Sequence, residues 1–230
     1  MTGDQLKSGR ELKGWSQEQA SLRLGVSQPY FSLLERGGRR VPERLARKAA
    51  GVFGLSAAAL PLKTIWDVLT PPNEDALAAD LASLGYPKLS HLRRRRHGKN
   101  PAEVLLSALT AGDLDSRLVE ALPWVIVKYP EVDWRWLVAA AKLHDLQNRL
   151  GFVTAVACRL AETQGEYEKA ALLARRESEL VRSRLAREDT LCHDSLTGAE
   201  RRWLRSHRTP EAKRWNLLTD LSEEHLSHAA

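Results

Sequence analysis

SQEQASLRLGVSQPYFSLLERG, residues 16–37, is the stretch whose reading decides the fold. Its pattern is two short helices joined by a tight turn. Ser16 offers a side-chain oxygen to the first free amides of a helix, and Gln19, three residues on, completes a reciprocal cap. Ala20, Leu22 and Leu24 give small or apolar positions that run into Gly25-Val26, where glycine has the backbone freedom a turn needs. Ser27 caps the next helix. Pro29 is tolerated in its first turn, because the amides there have no intrahelical partner. Phe31 and Leu34 turn one face inward and leave Gln28, Tyr30, Ser32 and Leu33 on the leading, outward side. Gly37-Gly38 stops the helix.

Working outward, residues 4–13 read as a preceding helix with Leu6 and Leu12 as core candidates, Gly14 as its stop and Trp15 packed beneath the pair. Downstream, Pro42 opens a helix through Leu45 and Ala49 to Gly54, and Ser56 caps a short last one that ends before Pro61. Charge separates this region from the rest. Residues 1–63 hold 11 Lys and Arg against 5 Asp and Glu, whereas the remainder holds 24 of each. All of the excess positive charge therefore sits on the paired-helix region, as neutralisation of nucleic-acid phosphates would require.

Arg10, Gly14, Ser16-Gln17-Glu18, Gly25-Val26-Ser27 and Glu35-Arg36-Gly37 fall at the spacing of a known pattern. With them, residues 4 to 60 resemble the helix-turn-helix of the Xre/Cro/CI repressor family. The resemblance implies that Gln17 touches a phosphate, that Gln28, Tyr30 and Ser32 face bases with Ser27 beside them, and that Arg10 and Glu35 form a buried ion pair. Arg36, Arg39 and Arg40 follow the second helix and are placed for backbone phosphates. Ala20 stands where the family usually has Leu, and Ser21 where it usually has Ala, which thins the core there.

Beyond this region, Thr70-Pro71-Pro72-Asn73 marks a linker, followed by a helix from Glu74 to Leu84. The run Arg93-Arg94-Arg95-Arg96 reads as a second DNA-backbone contact, a solvated hinge or a contact for an acidic partner, and the sequence does not choose among them. From Pro101 the pattern is helical almost throughout. Val104, Leu105 and Leu109 form one face, and Leu114, Leu118 and Leu122 another. Pro123 and Pro130 break off a short apolar segment. Leu143, Leu146, Leu150, Val153, Ala157 and Leu160 space as the seam of one long helix. Gly165 then turns the chain into a second seam, Ala171, Ala174, Ser178, Val181 and Leu185, predicting an antiparallel hairpin. LAETQGEYEKA, residues 160–170, resembles a tetratricopeptide turn without a second copy at a fixed period. The tail carries two short helices, opened by Thr197 with Glu200 and by Thr209-Pro210. Trp203 and Trp215 on them are candidate anchors for a protein partner, since Trp is enriched at interface hot spots; closing the chain's own core is the competing role.

Other chemistry has no foothold. Cys158 and Cys192 lie far apart in no CxxC pattern, which points to a reduced, cytoplasmic setting. No apolar run has the length of a membrane span, and the start lacks a signal-peptide apolar region. His144-Asp145 and Cys192-His193-Asp194 lack the converging spacing of metal ligands or of a nucleophile pair. No phosphate-cradling glycine loop is present, so neither an enzyme, a metal nor a cofactor is expected.

The expected fold class is all-α. A five-helix Xre-type helix-turn-helix domain occupies residues 1–62, a linker and accessory helix 63–99, a helical partner-binding domain 100–187 and a helical tail 188–230. In wider layout the chain looks like the larger Xre-type antitoxins, through the stretch Leu114 to Leu150 and the tail ERRWLRSHRTPEAKRWNLLTDL. That likeness implies a homodimeric repressor of its own operon which also neutralises a protein toxin, one of nucleotidyltransferase type. A peptide- or ligand-responsive regulator with a helical sensor domain is the alternative.

Overall fold

The structure is a computed structural model that describes residues 1–65, 70–92 and 98–229. It is all-α but for two two-residue strands, and it divides into two compact units. The first comprises Met1–Lys63 with Gly98, Lys99 and Asn100; the second takes in the described residues from Thr64 to Leu92 and from Pro101 onward. The stretch read as linker and accessory helix is therefore shared, its helix belonging to the second unit. The run Arg93-Arg94-Arg95-Arg96 lies outside the described residues.

Among its described residues the first unit has four α-helices, α1 (Gly3–Leu12), α2 (Gln17–Leu24), α3 (Gln28–Glu35) and α4 (Glu43–Phe53), followed by a 3-10 turn at Ala57–Ala59 where a fifth helix is expected from the sequence. Ser16 and Gln19 make the expected reciprocal cap, and Gly25 ends α2 in the left-handed conformation at φ 72°. Leu6, Ala20, Leu24, Phe31, Leu34, Ala46, Ala49 and Phe53 form the core. Leu12 does not join it and is 81 % exposed. Six residues after Leu6 it lies about 120° away from it around the helix, off the buried face. Leu22, midway between buried Ala20 and Leu24, is exposed for the same reason. Trp15 is half-buried, packed on Phe53 and covered by the Arg23 guanidinium 4.1 Å above its ring. Asn100 returns to this unit, donating to the Ala58 and Leu60 carbonyls at 3.0 and 2.7 Å.

The second unit is built on α9 (Gln147–Thr163), in which every residue from Gln147 to Cys158 is buried. Around it pack α7 (Ser116–Lys128), α8 (Trp134–Leu143) and α10 (Tyr167–Val181), with α5 (Glu74–Leu84) and α6 (Pro101–Leu109) completing the bundle. Three sequence expectations change here. Pro123 lies inside α7 instead of breaking it; one lost helical hydrogen bond is tolerated in a helix whose Leu118, Leu122, Val125 and Ile126 are all buried. The seam beginning at Leu143 is not one helix. α8 ends at Leu143, Asp145 takes φ 57°, and α9 starts afresh at Gln147. The second seam is displaced by one residue, since α10 buries Ala170, Leu173, Glu177 and Leu180. The hairpin of α9 and α10 itself forms about Gly165, at φ 75°.

The tail folds back within this unit. β1 (Asp189–Thr190) pairs in parallel with β2 (Leu217–Leu218), flanking α11 (Gly198–His207) and α12 (Pro210–Arg214). Trp215 is fully buried and lies on α9 at Gly151, where a Cβ would overlap the six-membered ring. Its indole N–H donates to Glu177 Oε1 at 3.0 Å. Trp215 is thus a core residue of the second unit and not an accessible anchor, because α9 has a side-chain-free site that receives its ring. Trp203 remains 52 % exposed, stacked on His207 at 4.3 Å between ring centres.

Candidate nucleic-acid interface

In the first unit, a chain of polar contacts runs from the core to the surface. Arg10 on α1 donates through Nε to Glu35 Oε1 at 2.7 Å, and through Nη1 to the Trp15 carbonyl at 2.9 Å. Glu35, at the end of α3, has a side chain only 2 % exposed. Hydrogen bonding to Glu35 outweighs burial and raises the Arg10 pKa above its ordinary value. Unpaired, that carboxylate would carry a large desolvation cost. The pair therefore fixes the crossing of α1 and α3 and meets the ion pair implied by the sequence resemblance.

Gln17 extends the chain outward. Its Nε2 donates to Glu35 Oε2 at 2.7 Å, and its Oε1 accepts from Gln28 Nε2 at 3.0 Å. A carboxylate only accepts, so it dictates which end of the Gln17 amide faces it. That leaves the Gln17 carbonyl for Gln28. Gln28 is exposed in the first turn of α3, and its Oε1 and second N–H are not used by these bonds. Ser27 is the N-cap residue by backbone position, yet its hydroxyl makes no capping bond and is exposed. Gln17 is half-buried against Glu35, so its route to a phosphate passes through the side that faces Gln28.

Ser32 departs from its expected place. It shares a helix face with Gln28 and Arg36, four residues to either side, but is only 4 % exposed. Arg36 lies across it, donating to Ser32 Oγ through Nη2 at 2.7 Å and Nε at 3.2 Å. The guanidinium, not the hydroxyl, is what this face presents. Tyr30 is half-buried and packs against the core edge. Arg36, Arg39 and Arg40 are exposed after α3. Leu33 is 41 % exposed one turn beyond Pro29.

Two further basic residues belong to this surface and were not singled out from the sequence. Arg44 and Lys48 of α4 border the same concavity as Tyr30, beside the turn at Gly25. Lys48 Nζ donates to the Leu24 carbonyl at 2.8 Å, at the C-terminal end of α2. The signal available for them was helical spacing, since Arg44 and Lys48 are four apart on one face of α4.

Comparison with known families agrees with this geometry: residues 6–60 match the helix-turn-helix family. The first unit thus carries a helix-turn-helix domain of the Xre/Cro/CI type. That domain marks a DNA-binding transcriptional regulator. The chain has no significant match among curated proteins or solved structures. Among the described residues no group of His, Cys, Asp and Glu is arranged to hold a metal ion, and no helix is long and apolar enough to cross a membrane.

Proposed function

We propose that the chain is a sequence-specific transcriptional repressor that binds double-stranded operator DNA as a homodimer, with Gln28 as its principal base reader. The observation that carries this reading is the exposed Gln28 amide, tied through Gln17 to a buried carboxylate. So held, Gln28 retains an acceptor and one donor, the pair that matches the N6–H and N7 of adenine in the major groove. Leu33 offers apolar surface for a thymine methyl on the next turn. Ser27, Arg36, Arg39 and Arg40 supply phosphate contacts, and Arg44 and Lys48 extend them. Homodimerisation fits this class, because paired half-sites one helical turn apart give the specificity a single module lacks.

The partner in this proposal is a protein toxin, which the chain neutralises while repressing the shared operon. The resemblance to the larger antitoxins supports it, as does the exposed Trp203 stacked on His207. Footprinting on the DNA upstream of the chain's own coding region tests the operator half. Wild type should protect a two-fold-related site, and Gln28→Ala should lose that site with non-specific binding nearly intact, a change of about 1–3 kcal/mol in discrimination. Equal loss on all sequences removes Gln28 from the base readers. Co-expression with the product of the adjacent gene tests the toxin half, which falls if the two neither co-purify nor interact in growth assays.

A further inference from the structure

The second unit contains a cavity of ≈ 500 Å³, within the size range of small-molecule sites. Its walls come from distant parts of the chain: α7, the segment after β1, α11, and the residues following β2. Val119, Leu191, Leu204 and Leu218 give it an apolar body. Leu191, Leu204 and Leu218 are buried, and Val119 is half-buried. Apolar wall of this kind faces water until a bound molecule covers it, which is favourable in proportion to the area covered.

With histidine counted as neutral, the formal charges on the lining are both negative. Glu120 and Asp220 line the cavity, and no Lys or Arg does so among the described residues. Glu120 is already engaged by Lys88 Nζ at 2.8 Å. Asp220 is solvent-exposed, so its charge is available to a ligand. His193 and His225 complete the rim with hydrogen-bonding nitrogens. The buried Cys192 thiol is turned away from reactivity, donating to the Ala108 carbonyl at 3.4 Å.

We propose that this cavity binds a small organic cation, an amine on an aromatic or aliphatic body, with the body against Val119, Leu191, Leu204 and Leu218 and the ammonium toward the Asp220 carboxylate. Apolar walls supply affinity and the carboxylate orients the charge, as in other small-molecule sites. An anion of the same shape meets repulsion from Asp220 at the mouth of the cavity. The cavity is lined by residues of the second unit alone, and its test does not involve operator DNA.

The test uses the ¹⁵N-labelled full chain without DNA, titrated with tryptamine and with indole-3-acetate, which share a ring and differ in charge. Tryptamine is expected to raise the melting temperature, to shift the amides of Val119, Leu191 and Thr219, and to bind at least about tenfold more tightly than the acid. Val119→Trp, which fills the cavity from its half-buried wall, should abolish tryptamine binding at unchanged circular dichroism. Asp220→Asn, at an exposed position, should erase the preference for the amine. The proposal is overturned if wild type binds neither compound at millimolar concentration, binds both equally, or if folded Val119→Trp binds as wild type does. Should Val119→Trp fail to fold, Asp220→Asn decides alone: a retained preference for tryptamine contradicts the site. A repressor that protects its operator yet ignores both compounds would sink this inference and leave the proposed function standing.

Discussion

Each unit holds a buried arginine–carboxylate pair, and the two pairs are directed differently. In the second unit Arg149 spends its donors on tying parts of that unit together. Nε and Nη2 bind the two oxygens of Asp189 at 3.0 and 3.1 Å, Nη1 binds the Leu109 and Ala111 carbonyls, and Nη2 also reaches Asp194 at 3.3 Å. That arrangement joins α9 to the loop after α6 and to β1; its most exposed member, the Asp194 carboxylate, accepts from Thr190 Oγ1 at 2.6 Å and so closes back on β1. In the first unit Arg10–Glu35 leaves one carboxylate oxygen for Gln17, and through it the pair reaches an exposed amide at the leading end of α3. The same chemistry closes a fold in one case and aims a side chain in the other. A buried ion pair points to a functional surface when its hydrogen bonds lead outward, not merely because it is buried.

Removing the arginines separates the two uses. Arg149→Ala should lower stability by about 3–5 kcal/mol, because it strands the Asp189 carboxylate and two carbonyls. Thermal unfolding would show the loss, and the first unit should keep its DNA affinity. A variant with an unchanged melting temperature would remove Arg149 as the tie between α9 and the tail. Arg10→Ala should cost a comparable amount by stranding Glu35, but with a second consequence: operator discrimination should fall even under conditions where the unit remains folded. If discrimination survives in folded Arg10→Ala, the two pairs are alike and the comparison is broken.

A smaller effect sharpens the outer part of the first unit. Each phosphate contact on duplex DNA contributes about 0.9 to the slope of log affinity against log salt. Replacing Arg36, Arg39 or Arg40 by Ala in turn should flatten the slope by that amount and weaken all sequences alike. Arg36 is the exception to watch, since it covers Ser32 on the face shared with Gln28. A selective loss on the operator, with little change in slope, would make it a base contact. An unchanged slope with unchanged affinity would remove the residue from the interface.

The first unit was largely legible in the sequence because its signals are local. A reciprocal cap at Ser16 and Gln19, a left-handed glycine at position 25 and a fixed motif spacing each act within a few residues. The placement of Gln28 at the start of α3 follows from them. What the sequence misplaced there, Leu12 and Ser32, depends on helix phase and on a neighbouring side chain. Helical phase can be counted, but the cover that Arg36 lays over Ser32 cannot be read from spacing. The second unit was legible as helices and as a hairpin, but not in register. A single-residue offset on α10 decides whether Ala171 or Ala170 is buried, and apolar residues at both positions leave the pattern ambiguous. The fate of Trp215 depended on Gly151, 64 positions earlier. No local pattern pairs an indole with a distant glycine, so sequence spacing alone could not tell a core tryptophan from an exposed one.

The central claim, that the buried pair of the first unit aims Gln28 through Gln17, is tested most directly by one ratio. Operator affinity divided by random-sequence affinity should be measured at fixed salt for wild type, Gln17→Ala and Gln28→Ala. Gln28→Ala should lower the ratio by about 1–3 kcal/mol. Gln17→Ala, which leaves Gln28 in place but releases its amide, should lower it by a substantial part of that amount while random-sequence binding changes little. A Gln17→Ala protein with the wild-type ratio, or one weakened equally on all sequences, would contradict the account.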